Sequence, residues 1–312
     1  MRGYLRERKK ILIIKFGGLG DCILSIQAIF SIISHHKKRK IVLLTEKPFN
    51  HFFFKSKWFQ EIVTIKRRTF HFLDILQIKK KMKSSEFEFI YDLQTSKRSS
   101  SYLSLFNDSK IKKSGIGPHS NLCHENKKRN NMHTIERQKE QLEISGIKSF
   151  PNPNLNWLFS SSKKNIQKKP FALIVPGGSK KRLYKRIPNE IFLKIINFLK
   201  KKNVLPILIG AKDDEEICKN IKYSEPFVKN FCSKLDIFGV GKLAKDASIS
   251  FGNDTGPMHL IAKANQPSFV FFTKHSKPEL CAPRGKKVKI MTFKNDNKKF
   301  LNQLIKYTEK II

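Results

Sequence analysis

The sequence predicts two doubly wound α/β domains facing a cleft, and three observations carry that reading. Short apolar runs alternate with helical patterns twice along the chain, the arrangement of parallel strands joined by helical crossovers. A polar stretch from Gly146 to Pro170, with Pro151 and Pro153, interrupts the alternation near the middle. A glycine-bearing turn follows a strand in each half, at Gly17 to Gly20 and at Gly177 and Gly178. With 312 residues the chain has room for two cores.

In the first half, Ile11 to Lys15 reads as a strand and Ile23 to Ile33 as a buried helix, apolar on nearly every face. Ile41 to Leu44, Ile62 to Ile65, Phe87 to Asp92 and Ile111 to Gly115 read as further strands. Helical patterns cover Phe72 to Met82, Lys97 to Phe106 and Thr134 to Ile144. Lys110 to Asn131, polar and basic, reads as a mobile loop, and Leu155 to Phe159 can add an edge strand within the linker. The second half begins with strand Phe171 to Val175 and a helix from Pro188 to Lys202, whose Ile191, Phe192, Ile195, Ile196 and Leu199 form a clean apolar stripe. Strand Leu205 to Ile209, helices Asp213 to Ile221 and Asp236 to Lys245, strand Ser248 to Phe251 and a last buried strand, Ser268 to Phe272, follow. The expected domains are 1–155 and 156–295, with 296–312 a terminal helix able to pack back on the first.

Composition narrows the function classes. Hydrophobic residues make up 39% of the chain, which excludes a wholly disordered protein. No apolar run approaches the roughly 18 residues that span a bilayer. Arg2, Arg6, Arg8, Lys9 and Lys10 precede an apolar run as in a signal peptide, but Lys15, Gly17 and Gly18 cut that run short. The expected location is the cytoplasm, with room for peripheral contact at the inner face of the membrane. Five cysteines, Cys22, Cys123, Cys218, Cys232 and Cys281, form no C-x-x-C pair, so neither a disulfide framework nor a zinc site is indicated. Lys and Arg number 63 against 25 Asp and Glu, a net charge of +38. Nucleic-acid binding, residence at an anionic membrane and a lysine-rich bias of the whole proteome each account for it. The lysines are dispersed, with no arginine-rich arm or aromatic-interleaved stripe, so nucleic acid is not an expected partner.

Three constellations carry chemistry. Asn253 to His259 follows an apolar strand and opens a helix; Pro257 suits the first turn, Asp254 or Thr255 can cap it, and Gly256 leaves backbone N–H groups accessible to a phosphate. His259 lies in the same turn, as a ligand-facing or a packed core residue. The second, Pro176-Gly177-Gly178-Ser179 followed by Lys180, Lys181, Arg182, Lys185 and Arg186, offers backbone N–H groups and cations for a diphosphate, without the ending of a P-loop. Beside it, the acids Asp213, Asp214 and Glu215 follow another strand, where Asp214 can accept from a ribose or favour the helix start. The third, Phe16-Gly17-Gly18-Leu19-Gly20-Asp21, is a poor dinucleotide fingerprint, since Ile23 stands where the third glycine belongs. It reads better as a turn presenting Asp21, with a simple capping role as the plainer alternative. No Asp-x-Asp pair asks for a divalent metal.

Together these segments resemble family 9 glycosyltransferases, the ADP-heptose:lipopolysaccharide heptosyltransferases and their relatives. The likeness rests on Gly17 to Asp21, Pro176 to Pro188 and Asp254 to Leu260, in order and spacing. It implies a GT-B architecture and inverting, metal-independent transfer with no cofactor. It also implies Asp21 as general base, Lys185 as the lysine before Arg-x-Pro, and Asp254, Thr255, Gly256 and His259 at the donor diphosphate. Gly178, Ser179 and Asp214 join that donor side, and Gly18 and Gly20 the acceptor-side loop. Family members often carry tryptophan where this chain has Ile187, and Phe-Gly-Pro-Thr where it reads Phe272-Thr273-Lys274-His275. The implied reaction moves a sugar, heptose from ADP-heptose, to a lipid-linked or oligosaccharide acceptor of the lipopolysaccharide core or a related envelope glycan. A nicotinamide-dependent oxidoreductase using Gly17 to Gly20 and Glu46, or a basic nucleic-acid-binding protein, are the alternatives.

Overall fold

The computed structural model describes residues 9–67, 70–160 and 170–312. The chain divides into two compact units, Met1–Pro153 and Asn154–Ile312. The first runs β1 (Lys10–Ile14), α1 (Leu19–Leu24), α2 (Ile26–His35), β2 (Lys40–Glu46), α3 (Phe49–Phe54), β3 (Glu61–Ile65), α4 (His71–Lys81), β4 (Phe87–Asp92), α5 (Lys97–Tyr102), β5 (Lys112–Gly115), β6 (Leu122–Cys123) and α6 (Thr134–Ile144). The second runs β7 (Phe171–Val175), α7 (Asn189–Lys201), β8 (Leu205–Leu208), α8 (Glu215–Ser224), β9 (Lys229–Asn230), α9 (Ile237–Asp246), β10 (Ile249–Asn253), α10 (Gly256–Ala262), β11 (Ser268–Thr273), α11 (Pro278–Cys281), β12 (Val288–Phe293) and α12 (Asn297–Thr308).

Each unit holds one six-stranded parallel sheet, ordered β3-β2-β1-β4-β5-β6 in the first and β12-β11-β10-β7-β8-β9 in the second. Counted from the start of each unit, both read 3-2-1-4-5-6, the Rossmann order. The fold is α/β, of GT-B type. The central strands are apolar along their whole length because helices cover both faces: Ile11 to Ile14 in β1 and Phe171 to Val175 in β7 are all buried. Where the strand order reverses, between β1 and β4 and between β7 and β10, the connections leave in opposite directions and open a crevice at the strands' carboxyl ends.

The structure departs from the sequence reading in several places. The helix expected over 23–33 breaks at Ser25, a buried residue whose hydroxyl donates to the Asp21 carbonyl (2.7 Å) and accepts from Gln138 of α6 (2.8 Å). β5 falls at the strand expected over 111–115, but the rest of the loop expected over 110–131 also holds a short edge strand, β6. Asn156–Phe159 forms a 3₁₀ turn instead of a strand, with Leu158 buried and Trp157 packed on Phe238 of α9. Beyond β11 comes one more strand, β12. The apolar face of α12 (Phe300, Leu301, Leu304) is buried in the second unit's core against α7 and β12, rather than reserved for the first. Residues 161–169 of the expected linker, and Arg2, Arg6 and Arg8, lie outside the described residues. No helix among the described residues is long and apolar enough to cross a membrane.

Candidate active site

Two turns meet at the carboxyl end of the second sheet: Pro176 to Ser179 after β7, and Asp254 to Gly256 after β10. Asn253, buried at the end of β10, joins them. Its Nδ2 donates to the carbonyls of Pro176 (2.7 Å) and Gly177 (3.2 Å), and its Oδ1 accepts from the Ile187 N–H (3.2 Å). Asp214 holds the same turn from another side: Oδ1 accepts from the Gly178 N–H at 2.8 Å and Oδ2 from the Ala211 N–H at 3.0 Å. Arg186 completes the brace, donating from Nη2 to the Gly178 carbonyl and lying 3.5 Å from Asp214 Oδ1. The packing is tight enough that a Cβ on Gly177 would stand 2.0 Å from Asp214 Oδ1, so only glycine fits. The Asp214 carboxylate, expected at the nucleotide, is thus engaged with the protein's own backbone.

Gly178 faces the Asp-Thr-Gly segment, since a Cβ there would lie 3.1 Å from Thr255 Cγ2. Asp254 stands between the Lys185 ammonium, 3.7 Å from its Oδ2, and the His259 imidazole, 3.8 Å from its Oδ1. The Asp254 and His259 side chains are each only 7% exposed, whereas Lys185 keeps 21%. Thr255 occupies the N-cap position of α10 and Pro257 its first turn, but the Thr255 hydroxyl makes no capping bond. Instead Thr255 Oγ1, His259 Nδ1 and Arg186 Nε are buried without a hydrogen-bond partner among the described residues. Such a group costs about 1–3 kcal/mol and is rare in native proteins. Three of them cluster around this one turn. Ser179 is exposed and Gly256 half-buried at the rim.

In the first unit, the turn after β1 is pinned from two neighbours. The Gly17 N–H donates to Glu46 Oε1 (2.9 Å) and the Phe16 N–H to Gln94 Oε1 (3.2 Å). Arg67 Nη1 lies 2.7 Å from the same Glu46 oxygen, with its guanidinium over the Phe16 ring. Glu46, the residue that favoured a nicotinamide ribose, is therefore committed to this turn. Asp21 stands exposed in the first turn of α1, while Gly18, also exposed, takes the N-cap position without a side-chain cap; Gly20 is half-buried. Among the described residues no group donates a hydrogen bond to the Asp21 carboxylate, so the carboxylate is presented rather than spent on a cap.

Lys15 was not singled out in the sequence as a site residue. It is buried at the end of β1, with Nζ donating to the Leu93 carbonyl (3.4 Å). Burial pushes its ammonium below the ordinary value, opposed by the charges of Asp21 and Asp92. Burial likewise pushes the Asp92 carboxyl up to about 6, against hydrogen bonds from the Thr95 N–H, the Ser99 hydroxyl and the Gln94 N–H. The only signal in the sequence was a lysine closing an otherwise apolar strand. Among the described residues no group of three or more His, Cys, Asp or Glu side chains is arranged to hold a metal.

Residues 75–308 match the family model of Glycosyltransferase family 9 (heptosyltransferase). The match covers well over half of the chain and includes both turns of the second unit; Asp21 precedes it. Similar solved structures include a glycosyl transferase family 9 protein from Veillonella parvula DSM 2008, 16% identical over 97% of this chain and 90% of that one, with a TM-score of 0.75. The E. coli heptosyltransferase WaaC with ADP is 16% identical over 97% of this chain and 100% of that one, TM-score 0.76. The E. coli ADP-heptose lps heptosyltransferase II is 16% identical over 96% and 99%, TM-score 0.74. At this identity the structural likeness establishes the fold. No curated protein sequence matches the chain. With the family model spanning its donor-side turns on a fold of this kind, the chain belongs to glycosyltransferase family 9, the heptosyltransferase family, and is a glycosyl-transferring enzyme.

Proposed function

We propose that the enzyme moves a heptose from ADP-heptose to a sugar acceptor of the lipopolysaccharide core or a related envelope glycan, inverting the anomeric carbon without a metal ion. The observation that carries the reading is the set of buried, unpartnered atoms Thr255 Oγ1, His259 Nδ1 and Arg186 Nε beside the Lys185–Asp254 pair. A diphosphate brings oxygens that accept from hydroxyl and guanidinium donors, and the similar WaaC structure was solved with ADP. Gly178, Ser179, Thr255, Gly256 and His259 would line the diphosphate, with Lys185 offsetting the Asp254 charge beside it. Asp214, Asn253 and Arg186 act as positioning residues for the Gly178 turn. Gly18 and Gly20 shape the acceptor-side turn.

In this mechanism Asp21 accepts the proton of the acceptor hydroxyl as that oxygen bonds to the anomeric carbon. The bond from the anomeric carbon to the diphosphate oxygen breaks, and its electron pair leaves on ADP. A positioned base contributes about 10²–10⁴ in rate. Each well-aimed donor at the leaving diphosphate is worth about 3–4 kcal/mol, comparable with the base, and two such donors would exceed it. The test is Asp21→Asn, assayed in chelator. kcat should fall about 10²–10⁴-fold with ADP affinity nearly intact, and NMR of the wild-type product should show an inverted anomeric centre. Full activity in the variant, or a retained configuration, overturns the mechanism.

A further inference from the structure

Helix α4 turns an apolar stripe outward that no other described residue covers. Phe72 and Leu76, one turn apart, are 58% and 57% exposed, and Phe70 at the N-cap is 66% exposed with its ring centroid 6.2 Å from that of Phe72. The next turn carries exposed Lys79 and Lys80, and exposed Lys83 follows the helix end. At the helical period, positions 72, 76, 79 and 80 fall within an arc of about 100°. The opposite face is fixed: Ile78 is in the core, and buried Asp74 accepts from Tyr102 (2.8 Å) and pairs with Arg98. The helix cannot roll its apolar stripe inward without breaking that anchorage.

We propose that this stripe docks the protein on an anionic lipid bilayer, with Phe70, Phe72 and Leu76 entering the acyl boundary and Lys79, Lys80 and Lys83 meeting phosphate headgroups. Charge selects this occupant over a second copy of the chain: two molecules of net charge +38 repel, whereas an anionic surface attracts each of them. The side chains select it over nucleic acid, because phenylalanine beside leucine on one arc offers hydrocarbon contact, not a track for phosphates. Within the same unit, the start of α4 is linked through α5 to Phe16, which opens the Asp21 turn. His71 Nε2 lies 3.1 Å from Ser101 Oγ on α5, and the Tyr102 ring, 6.2 Å from that of Phe16, packs under the turn. Docking there would bring the acceptor-side turn to the membrane surface. That consequence rests on the transfer reading; the docking itself does not.

The test is sedimentation of the full chain with phosphatidylcholine vesicles, with and without phosphatidylglycerol, read without turnover. The wild type should bind the anionic vesicles. F72S/L76S should lower the partition at least about tenfold, and K79Q/K80Q about fivefold per lysine. Both variants should keep wild-type melting temperature and ADP affinity, since the changed side chains are exposed. K37Q/K38Q/K40Q, which removes three charges before and at the start of β2, should cost less than K79Q/K80Q. Absence of wild-type binding, an unchanged partition in F72S/L76S, or equal loss in the β2-side variant would overturn the proposal. So would a wild-type dimer in solution that F72S/L76S dissociates, or RNA binding that the same variant abolishes.

Discussion

Replacing Asp214 by asparagine separates holding a turn from touching a nucleotide. The substitution preserves volume and one acceptor oxygen but converts the other to an NH₂ group. Either the Gly178 N–H, now bonded at 2.8 Å, or the Ala211 N–H, at 3.0 Å, then faces a donor. Arg186, 3.5 Å away, loses its negative partner as well. A hydrogen bond to a charged group is worth about 1.5–3 kcal/mol and an orphaned buried donor costs about 1–3 kcal/mol. The Asp214 side chain is only 10% exposed, so water repairs little of this. Unfolding in urea should therefore show a loss of about 2–4 kcal/mol. The loosened turn should weaken ADP and inorganic pyrophosphate alike, by roughly 10- to 100-fold in calorimetry. A variant of wild-type stability that loses ADP but keeps pyrophosphate would refute the positioning role and put Asp214 on the ribose.

Lys185→Ala should lower kcat/KM by about 10²–10³-fold and weaken ADP, with Lys185→Arg recovering part of both; unchanged kinetics would remove Lys185 from the mechanism. Its effect on stability should stay within about 1 kcal/mol, because the pair with Asp254 is long at 3.7 Å and the lysine reaches solvent. Asp92 gives a pH signature. Its folded value near 6 lies above the ordinary 3.8, so the folded chain holds the proton longer than the unfolded chain. Its contribution is complete below about pH 4 and is lost as pH rises through about 6, a swing of about 3 kcal/mol. Asp92→Asn should abolish that swing in denaturation curves taken across this window, and a wild-type-minus-variant difference independent of pH would contradict it.

The fold was largely legible because its central strands are buried on both faces and read as plain apolar runs. β4 at Phe87–Asp92 and α6 at Thr134–Ile144 fall where periodicity puts them. Misreadings fall where charge masks a strand or a tertiary bond redirects a helix. β12 is a sheet-edge strand whose single lysine, Lys289, and flanking Lys286, Lys287 and Lys294 make Val288–Phe293 look like part of a basic loop, while the exposed Lys289 guards the edge. The bend at Ser25 depends on Gln138, distant in sequence. In the site, the glycines and the Asp-Thr-Gly segment were visible because backbone approach demands small residues in a fixed order. The roles of Asp214 and Asn253 were not, since each is defined by partners dozens of residues away. Lys15 escaped notice because one buried lysine in a chain this basic carries no contrast. The outward stripe of α4 was hidden in the same way, its helix correctly expected but its lysines lost among many.

The bracing of the Gly178 turn by Asp214, Arg186 and Asn253 has a kinetic corollary. On the proposed reading, a turn already held by side chains beneath it needs no rearrangement when a diphosphate arrives, so little ordering entropy would oppose capture. The side-chain amide of Asn253, bonded to Pro176, Gly177 and Ile187, holds the two sides of that turn in register.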